Sequence, residues 1–305
     1  MANLFITNAT GYIGSAVAEL FKAKGYNVTA LTRSDKAVEE VEKRGYKAYR
    51  GDLRKPQEFA AAITDADIVI HTAFARDQDY GAVDQHATET ILELLKGTNK
   101  TFLYTSGTWV LGNTGNILAD ETTPTNPIKA AQWRVELEKK VVAAKDNGIR
   151  SVVVRPTVVY GREGGLIASF YATAQKDGYA RYVGTGENYV SLVHVEDLAN
   201  LYYIAAEKAA AGALLHATNE QPLTLKQIAE LVAIASGFPG ETKSWNVEDA
   251  RKIYGDAVEG FVLDQRIDSK KTRETLNWAP KAPTLVDELP IYAGNKTAVQ
   301  AANKQ

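Results

Sequence analysis

Short apolar runs alternate with amphipathic segments through the first half of the chain. Such alternation predicts successive β–α–β units, because a crossover segment, usually a helix, must join two parallel strands. The helical patterns cover residues 12–24, 35–44, 56–64, 81–96 and 127–146. The apolar runs are NLFIT (3–7), NVTALT (27–32), YKAYR (46–50), DIVIHTA (67–73), KTFLYTS (100–106) and RSVVVRPTVVY (150–160). We therefore predict an α/β fold, a Rossmann-like doubly wound parallel sheet.

The pattern changes after Gly161, where helices become isolated and one more strand candidate, ALLHATN (213–219), follows. The later amphipathic segments are LTLKQIAELVAIASG, VEDARKIYG and SKKTRETLNW. We expect a smaller C-terminal substrate lobe formed by residues 164–189 and 219–294, beside a Rossmann domain of residues 1–163 and 190–218. The polar residues 295–305 are expected to be a flexible tail.

The stretch PIKAAQWRVELEKK (127–140) reads as a helix, with Asn126 as its cap and Pro127 at its first position. One face carries apolar residues at helical spacing, namely Ala130, Trp133, Leu137 and Val141. Arg134 is the reactive-looking group near that face. The pattern leaves open whether this helix only packs or walls a site.

The charge balance and composition exclude several classes of function. Lys and Arg total 35 against 37 for Asp and Glu, so nucleic acid and anionic membranes are not expected partners. The chain has no Cys, and its four His residues do not stand at ligand spacing, so no metal site is expected. No window holds about 18 uncharged apolar residues. We predict a cytoplasmic monomer or homodimer that acts on a small molecule.

The first strand leads directly into ITNATGYIGSAVAELFKAKG, where Gly11 and Gly14 open a helix. A dinucleotide-binding turn needs glycine where the backbone approaches pyrophosphate and where the helix packs on the strand. The alternative is a plain tight turn, but the placement at the start of a β–α–β unit favours a nucleotide site.

The second strand ends in ALTRSD, which places Arg33 where the adenine ribose is bound. A guanidinium pairs with a 2′-phosphate, so Arg33 favours NADP(H) over NAD(H), unless it is a solvated surface residue. Asp52 and Leu53 follow the third strand in GDL and are expected near adenine. Thr72 and Ala73 follow the fourth strand in HTA and are expected to line the cofactor channel.

The chain resembles the extended short-chain dehydrogenases/reductases, also called NAD-dependent epimerases/dehydratases. The resemblance rests on TNATGYIG (7–14), GDL (51–53), HTA (71–73), YTSG (104–107), RPTVVYG (155–161), SLVHVEDLA (191–199) and KTRETLNWAPKAP (271–283), which occur in family order. It implies a Rossmann sheet of about seven strands and a small C-terminal lobe. Motif and resemblance together imply these cofactor-binding residues: Thr7, Asn8, Thr10, Gly11, Tyr12, Ile13, Gly14, Arg33, Asp52, Leu53, Thr72, Ala73, Arg134 and Pro156.

The chain departs from the family pattern at the positions that carry chemistry. Asn8 stands at the first glycine position, and Asn tolerates a left-handed backbone. Asp84 replaces the family's signature Asn, and Gly107 falls in the slot of the catalytic hydroxyl, between Ser106 and Thr108. In the YxxxK pair, Ala130 takes the Tyr position and Arg134 the Lys position. The resemblance is therefore to atypical members with a degenerate catalytic tetrad.

In ordinary members the Tyr phenol transfers a proton while the nicotinamide transfers hydride. Ala130 has no phenol, and Arg134 is permanently charged but still able to bond a ribose hydroxyl. The remaining catalytic candidates are Ser106, Tyr160 and Asp84. For Tyr160 the alternative to catalysis is a structural role. The same alternative holds for His194, which the resemblance implies ties the two lobes together. Trp109 and Trp133 are expected to wall the pocket or to lie in the core.

These residues predict an NADP(H)-binding oxidoreductase of atypical short-chain type, acting on a small organic carbonyl, imine or activated alkene. Reduction in which solvent, substrate or another residue provides the proton tolerates the missing Tyr. The alternative from another class is a non-catalytic NADP(H)-sensing regulatory protein. A nucleotide-sugar epimerase/dehydratase ranks last, because it depends most on the lost pair.

Overall fold

The computed structural model describes residues 1–74, 79–219 and 221–294, so the expected tail at 295–305 lies outside the described residues. The strands in this part of the chain are β1 (Asn3–Thr7), β2 (Asn27–Thr32), β3 (Lys47–Arg50), β4 (Ile68–His71), β5 (Thr101–Thr105), β6 (Leu118–Ala119), β7 (Arg150–Pro156), β8 (Val158–Tyr160), β9 (Ala180–Val183), β10 (Tyr189–Val190), β11 (Leu192–His194), β12 (Ala213–Ala217), β13 (Leu223–Thr224), β14 (Thr242–Trp245) and β15 (Arg266–Ile267).

Helices connect these strands and make up most of the C-terminal part. They are α1 (Tyr12–Ala23), α2 (Asp35–Lys43), α3 (Ala60–Asp65), α4 (Tyr80–Leu95), α5 (Gln132–Ala143), α6 (Gly165–Asp177), α7 (Val195–Lys208), α8 (Leu225–Ala235), α9 (Val247–Tyr254), α10 (Val258–Phe261), α11 (Lys270–Leu276) and α12 (Leu285–Gly294). Short 3-10 helices lie at Pro56–Phe59, Thr108–Leu111, Lys129–Ala131, Ala144–Asn147 and Gly255–Ala257.

The main sheet has seven strands in the order β12-β7-β5-β4-β1-β2-β3, and every neighbouring pair is parallel. This confirms the predicted α/β fold with its doubly wound parallel sheet. The strand order reverses between β1 and β4, and ligands bind at such a switch point in open α/β sheets. The carboxyl ends of β1, β4, β5 and β7 therefore define the edge where a site is expected.

Two buried clusters cover the faces of the sheet, and a third fills the smaller C-terminal lobe. One face packs α1 and α7 on the strands through residues such as Val17 and Leu201. The other face packs α4 and α5 through residues such as Ile91 and Val141. The C-terminal cluster joins α6, α8 and α12 around Tyr171. Each helix thus buries one apolar face, as its 3.6-residue periodicity requires.

The predicted strand 150–160 is two strands rather than one. β7 stays in the main sheet as far as Pro156, whereas β8 leaves it and pairs with β11, so that Val158 lies opposite Leu192. Thr157 marks the break, because its N–H donates to the carbonyl of Ala217 while the next N–H donates to Ser191. The continuous apolar run concealed this change of partner.

The prediction that Asn126 and Pro127 begin a helix is wrong, because α5 starts at Gln132 after a 3-10 turn. The segment before it is extended, with Ile128 at φ −65° and ψ 160°. Asn126 donates its N–H to Val110, and Ile128 donates to Trp109, so this segment is held against the 3-10 helix at Thr108–Leu111. A tertiary contact has replaced the helical turn that the local signals favoured.

Candidate functional site

The turn between β1 and α1 has the shape that its glycines predict. Asn8 adopts φ +61°, so the predicted left-handed backbone is present at the position of the family's first glycine. A Cβ at Gly11 would lie 2.1 Å from Asn8 Nδ2, and a Cβ at Gly14 would lie 2.2 Å from the Asn8 carbonyl oxygen. Gly11 is the N-cap of α1 and provides no side-chain cap, so N–H groups of the first turn remain available. This cradle fits a pyrophosphate.

The other residues of this turn have different surroundings. The Tyr12 hydroxyl donates to the carbonyl of Gly161 at 2.8 Å, and burial raises the pKa of Tyr12 far above its ordinary value. Ile13 packs against the core cluster under α1, and Thr10 is half-buried. The Tyr12 hydroxyl is therefore already engaged within the protein, and contact of Tyr12 and Ile13 with a dinucleotide stays a prediction.

The ends of β2 and β3 carry the residues predicted to meet the adenosine part. Arg33 directly follows β2, is exposed, and has no ion-pair partner within the described part of the chain. Asp52 Oδ1 accepts the N–H of Arg54 at 3.0 Å, which fixes the turn after β3. Leu53 packs against the core cluster on the α4 and α5 face. The sheet thus brings Arg33 and Asp52 to adjacent strand ends.

Thr7 fastens the ends of β1 and β4 together. Its Oγ1 accepts the N–H groups of Thr72 and Ala73, both at 3.0 Å, and Thr72 Oγ1 donates to the Thr7 carbonyl at 2.6 Å. The Thr7 side chain is fully buried. The Thr7 hydroxyl and these two N–H groups are therefore already hydrogen-bonded within the protein. Lining of the cofactor channel by Thr7, Thr72 and Ala73 stays a prediction.

A buried chain of hydrogen bonds runs from Thr7 through His71 to Asp84. Because Thr7 Oγ1 accepts two N–H groups, its own hydrogen is donated to His71 Nδ1 at 2.9 Å. His71 Nε2–H then donates to Asp84 Oδ1, also at 2.9 Å. Burial alone raises the pKa of Asp84, but the hydrogen bond from His71 and the positive charge of Arg134 outweigh it and hold that pKa below its usual value.

The second oxygen of Asp84 holds one wall of the site. Oδ2 accepts from the Tyr104 hydroxyl at 2.6 Å and from Trp133 Nε1 at 2.8 Å. Arg134 Nη1 donates to the Thr105 carbonyl at 2.6 Å and to the Tyr104 oxygen at 3.3 Å. Asp84 is 2% exposed and does not line the cavity described next, so the predicted catalytic role is replaced by one of positioning Trp133 and Arg134.

A cavity of about 700 Å³ opens at the carboxyl edge of the sheet. Ser106, Gly107, Ala130 and Arg134 line it, so the structure gathers the positions that correspond to the family's hydroxyl and YxxxK pair. Ser106 is 6% exposed, and its Oγ has no hydrogen-bond partner within the described residues. Thr108, on the other side of Gly107, is instead bonded to Gln265. Ser106 thus brings a buried hydroxyl without a protein partner to this cavity.

Tyr160 does not reach the cavity. Its ring is fully buried, and its hydroxyl donates to the carbonyl of Pro283 at 2.8 Å. The predicted catalytic role of Tyr160 is corrected accordingly. Its hydrogen bond to a backbone carbonyl fits the alternative prediction of a structural role. His194 accepts the N–H of Glu196 and lies 3.5 Å from Glu288 of α12, so it links the sheet domain to the C-terminal helix.

Pro156 ends β7 in a buried position, and its carbonyl lies 3.9 Å from a Cβ built at Gly107. Trp109 and Trp133 line the cavity, as one of the two sequence interpretations expected. Sequence reasoning missed Phe74, Tyr80, Tyr254 and Asp256, which complete the lining. Tyr254 and Asp256 lie far along the chain from Ser106 in no recognisable motif, so only the fold reveals them.

Residues 1–74, 79–219 and 221–294 contain no cluster of three or more metal-ligating side chains. No helix of these ranges is long and apolar enough to cross a membrane.

The fold, the glycine turn and the adjoining cavity define a dinucleotide-binding α/β protein of the short-chain dehydrogenase type. The chain belongs to the NAD dependent epimerase/dehydratase family, whose model matches residues 4–219. That family consists of NAD(P)-dependent enzymes of the short-chain superfamily. The resemblance seen in the sequence motifs is confirmed.

Known proteins similar to this chain cover nearly its whole length. An uncharacterized protein of Saccharomyces cerevisiae is 32% identical over 94% of this chain and 97% of its own. A 2-alkyl-3-oxoalkanoate reductase of Stenotrophomonas maltophilia is 24% identical over 82% of this chain and 80% of its own. The structure of a Thermus thermophilus UDP-glucose 4-epimerase in complex with NAD superposes with a TM-score of 0.78 and is 19% identical in sequence. The match covers 96% of this chain and 98% of that chain. That structure is evidence for the fold alone.

Proposed function

We propose that this chain is an NADP(H)-dependent oxidoreductase of atypical short-chain type that reduces a small organic carbonyl, imine or activated alkene. The observation that carries the proposal is the buried Ser106 hydroxyl, which lines the cavity without a partner. A buried hydroxyl without a partner costs free energy, so such a group is expected to have a functional partner at some stage. A substrate oxygen or nitrogen meets that requirement.

Specific residues suit the parts of the cofactor. The N-terminus of α1 suits the pyrophosphate, Arg33 suits a 2′-phosphate, and Arg134 suits a ribose hydroxyl. When bound, the nicotinamide supplies hydride. Ser106 orients the substrate by donating its hydrogen bond, and the proton that completes reduction comes from solvent, from the substrate or from another residue, because Ala130 has no acidic group.

The relative from Stenotrophomonas maltophilia supports carbonyl reduction, since its name is that of a reductase of 3-oxoalkanoates. The cavity lining argues against a nucleotide-sugar epimerase. Its exposed surface is mainly apolar, whereas a sugar presents many hydroxyl groups that each need a polar partner. The loss of the Tyr and Lys positions argues in the same direction.

Oxidation of NADPH by the purified protein tests the proposal, with a panel of ketones, aldehydes, imines and enones. We expect turnover of at least one class. For cofactor choice, Arg33→Ser is expected to weaken NADPH binding about tenfold and to leave NADH binding unchanged, because one charge-assisted pair to phosphate is lost. Lys36→Ser, an exposed residue one turn away, is the matched control. An unchanged ratio of the two affinities in Arg33→Ser would remove the argument for NADP(H).

A second candidate, a non-catalytic NADP(H) sensor, is favoured by one observation. Ala130 and Arg134 occupy the places of the proton donor and its Lys, beside a glycine turn that fits a pyrophosphate. This candidate predicts tight binding that differs between NADPH and NADP⁺, together with no turnover across the panel. Turnover of any substrate with ordinary kinetics eliminates it.

A further inference from the structure

The cavity beside Ser106 is walled by aromatic side chains from distant segments. Three of them form one continuous surface: the ring centroids of Phe74 and Tyr80 lie 5.2 Å apart, those of Tyr80 and Trp133 lie 4.8 Å apart, and those of Phe74 and Trp133 lie 6.4 Å apart. Trp109 and Tyr254 complete the lining. Rings at such distances present π-faces and edges on which another ring stacks favourably.

The position of Trp133 is fixed before any ligand arrives. Its indole N–H donates to Asp84, and the Arg134 guanidinium lies 4.9 Å from its ring centroid. The ring also rests on the backbone of Gly81, where a Cβ would come within 3.2 Å of Trp133 Cγ. Trp109 is seated in the same way, since a Cβ at Gly260 would lie 2.3 Å from its Cζ2. A preformed wall avoids part of the entropy cost of binding.

The two charged side chains of the lining already have partners within the protein. Asp256 pairs with Lys129 at 2.9 Å, and Arg134 Nη1 is bonded to the carbonyl of Thr105. Ser106 Oγ is the buried hydroxyl of the described lining that has no partner. The cavity therefore matches a ligand that offers a hydrogen-bond acceptor to Ser106 and otherwise has a mainly flat apolar surface, because most of the exposed lining is apolar.

Ala130 provides the room that such a ligand needs. It lines the cavity together with Ser106 and Trp133, at the position where the family has the bulk of a Tyr. The cavity volume of about 700 Å³ lies within the range of pockets that hold drug-sized molecules. The missing phenol thus leaves space for a ring of the substrate.

We propose that this cavity binds a planar aromatic carbonyl compound, with its ring system stacked on the wall of Phe74, Tyr80 and Trp133 and its carbonyl oxygen accepting from Ser106. The assignment of this compound as the substrate rests on the proposed function, whereas its binding does not. The two statements are therefore tested by different measurements.

Binding is measured by calorimetric titration of the full-length protein, alone and saturated with NADP⁺, using 2-acetylnaphthalene and 2-acetyldecalin. These ketones share their carbon skeleton and acetyl group and differ in planarity and π-electrons. We expect the aromatic ketone to bind at least about tenfold more tightly, as stacking on two or three rings provides. Equal affinities, tighter binding of the saturated ketone, or no binding of either would overturn the proposal.

Variants locate the ligand. Ala130→Leu is expected to reduce the affinity for 2-acetylnaphthalene more than tenfold by filling the cavity, and Tyr80→Leu to remove most of the preference for the aromatic ketone. Ala143→Leu is the matched control, since Ala143 is an exposed residue of α5, the helix that follows the 3-10 turn of Ala130. Thermal melting verifies that each variant is folded, and unchanged binding in a folded Ala130→Leu protein would also overturn the proposal.

Turnover with NADPH separates the two conclusions. One outcome is selective binding of 2-acetylnaphthalene with no reduction of this ketone or of any other compound in the panel. That outcome supports the aromatic cavity and contradicts the proposed function. Reduction of 2-acetyldecalin as efficiently as 2-acetylnaphthalene supports the proposed function and contradicts the aromatic cavity.

Discussion

At the scale of single residues, Ser106 is the hydroxyl that we propose holds the substrate in this cavity. We expect Ser106→Ala to lower kcat/KM by about 100-fold, the usual cost of removing one donor to a developing oxyanion. Its melting temperature and its NADPH affinity are expected to stay unchanged, because Oγ has no partner to lose. Steady-state kinetics and NADPH titration measure these effects.

Ser106→Thr is the matched control, because it keeps the hydroxyl and is expected to retain most of the activity. Full activity in a folded Ser106→Ala protein would show that another group holds the substrate.

Asp84 is expected to act through its neighbours. An Asn at this position cannot accept from His71, Tyr104 and Trp133 together, since its amide nitrogen only donates. Asp84→Asn is therefore expected to lower the free energy of unfolding by about 1–3 kcal/mol, the cost of an unsatisfied buried donor. Urea denaturation measures this, and Trp fluorescence reports the released indole.

Asp35→Asn, at an exposed carboxylate paired with Arg50, is the control and is expected to change stability by less than about 1 kcal/mol. Arg134→Lys is expected to be non-additive with Asp84→Asn, because both residues bond to Tyr104. Additive effects would show that the two substitutions are independent departures from the family pattern.

Residue type alone predicted some of these features and not others. The left-handed backbone of Asn8 follows from Asn being the side chain that tolerates it best, a property of one residue. The positions of Asp84 and Tyr160 depend on partners 49 and 123 residues away, Trp133 and Pro283. No local pattern encodes such pairings, so the sequence offered both residues as catalytic candidates without showing the partners that bury them.

At the scale of elements, local signals predicted the Rossmann half of the chain well and failed where tertiary contacts compete. The strands β1 and β2 match their predicted bounds because apolar periodicity and burial agree there. The start of α5 was misplaced because Asn126 and Ile128 bond to the 3-10 helix at Thr108–Leu111, a contact worth more than a first helical turn. That displacement also brings Ala130 to the cavity rather than to a regular helix face.

The packing of α1 on β1 depends on Gly14. A Cβ there would lie 2.2 Å from the Asn8 carbonyl oxygen and 2.8 Å from Thr72 Oγ1, so the helix must move away from the strand end. We expect Gly14→Ala to cost about 1–3 kcal/mol of stability and to weaken NADPH binding sharply, because the helix N-terminus shifts. Thermal unfolding and fluorescence titration with NADPH measure both effects.

The control for Gly14→Ala is Gly107→Ala. Gly107 has an extended backbone with φ 177°, and a Cβ there would meet nothing closer than the Pro156 carbonyl at 3.9 Å. The free energy of unfolding of Gly107→Ala is expected to differ from that of the wild type by less than about 0.5 kcal/mol. Equal losses in the two variants would show that the close approach at Gly14 is not what limits substitution.

At the scale of the whole molecule, the parallel sheet of seven strands was expected from the family resemblance and from the alternation of strands and helices. The cavity could not be predicted in this way, because its lining comes from segments between Phe74 and Ala257 that meet only in the folded chain. Polar contacts between the two lobes are likewise not predicted by any sequence motif. One of these is the buried imidazole of His216, which joins β12 to the segment before α11.

His216 connects these parts in its neutral form. Its Nδ1 donates to the Asp268 carbonyl at 3.2 Å, its Nε2 lies 3.4 Å from Arg155, and its backbone N–H donates to Glu121. Burial is the largest effect and, with the positive Arg155, lowers the pKa of His216 to about 4, although Glu121 opposes this. The unfolded chain, with a His pKa near 6.5, therefore binds a proton that the folded chain does not between these two values.

Stability is accordingly expected to be fully present above about pH 6.5 and to fall as the pH drops toward 4, where the folded state also takes up the proton. The loss due to His216 is expected to reach about 2 kcal/mol by pH 5. In His216→Gln, whose amide keeps one donor and one acceptor, the difference in unfolding free energy between pH 7.5 and pH 5 is expected to shrink by that amount. His86→Gln, at an exposed imidazole, is expected to keep the wild-type difference, and urea denaturation at the two pH values measures all three proteins. The same pH difference in His216→Gln as in the wild type would mean that other groups carry the acid sensitivity, and that the junction between β12 and the C-terminal lobe does not depend on a neutral His216.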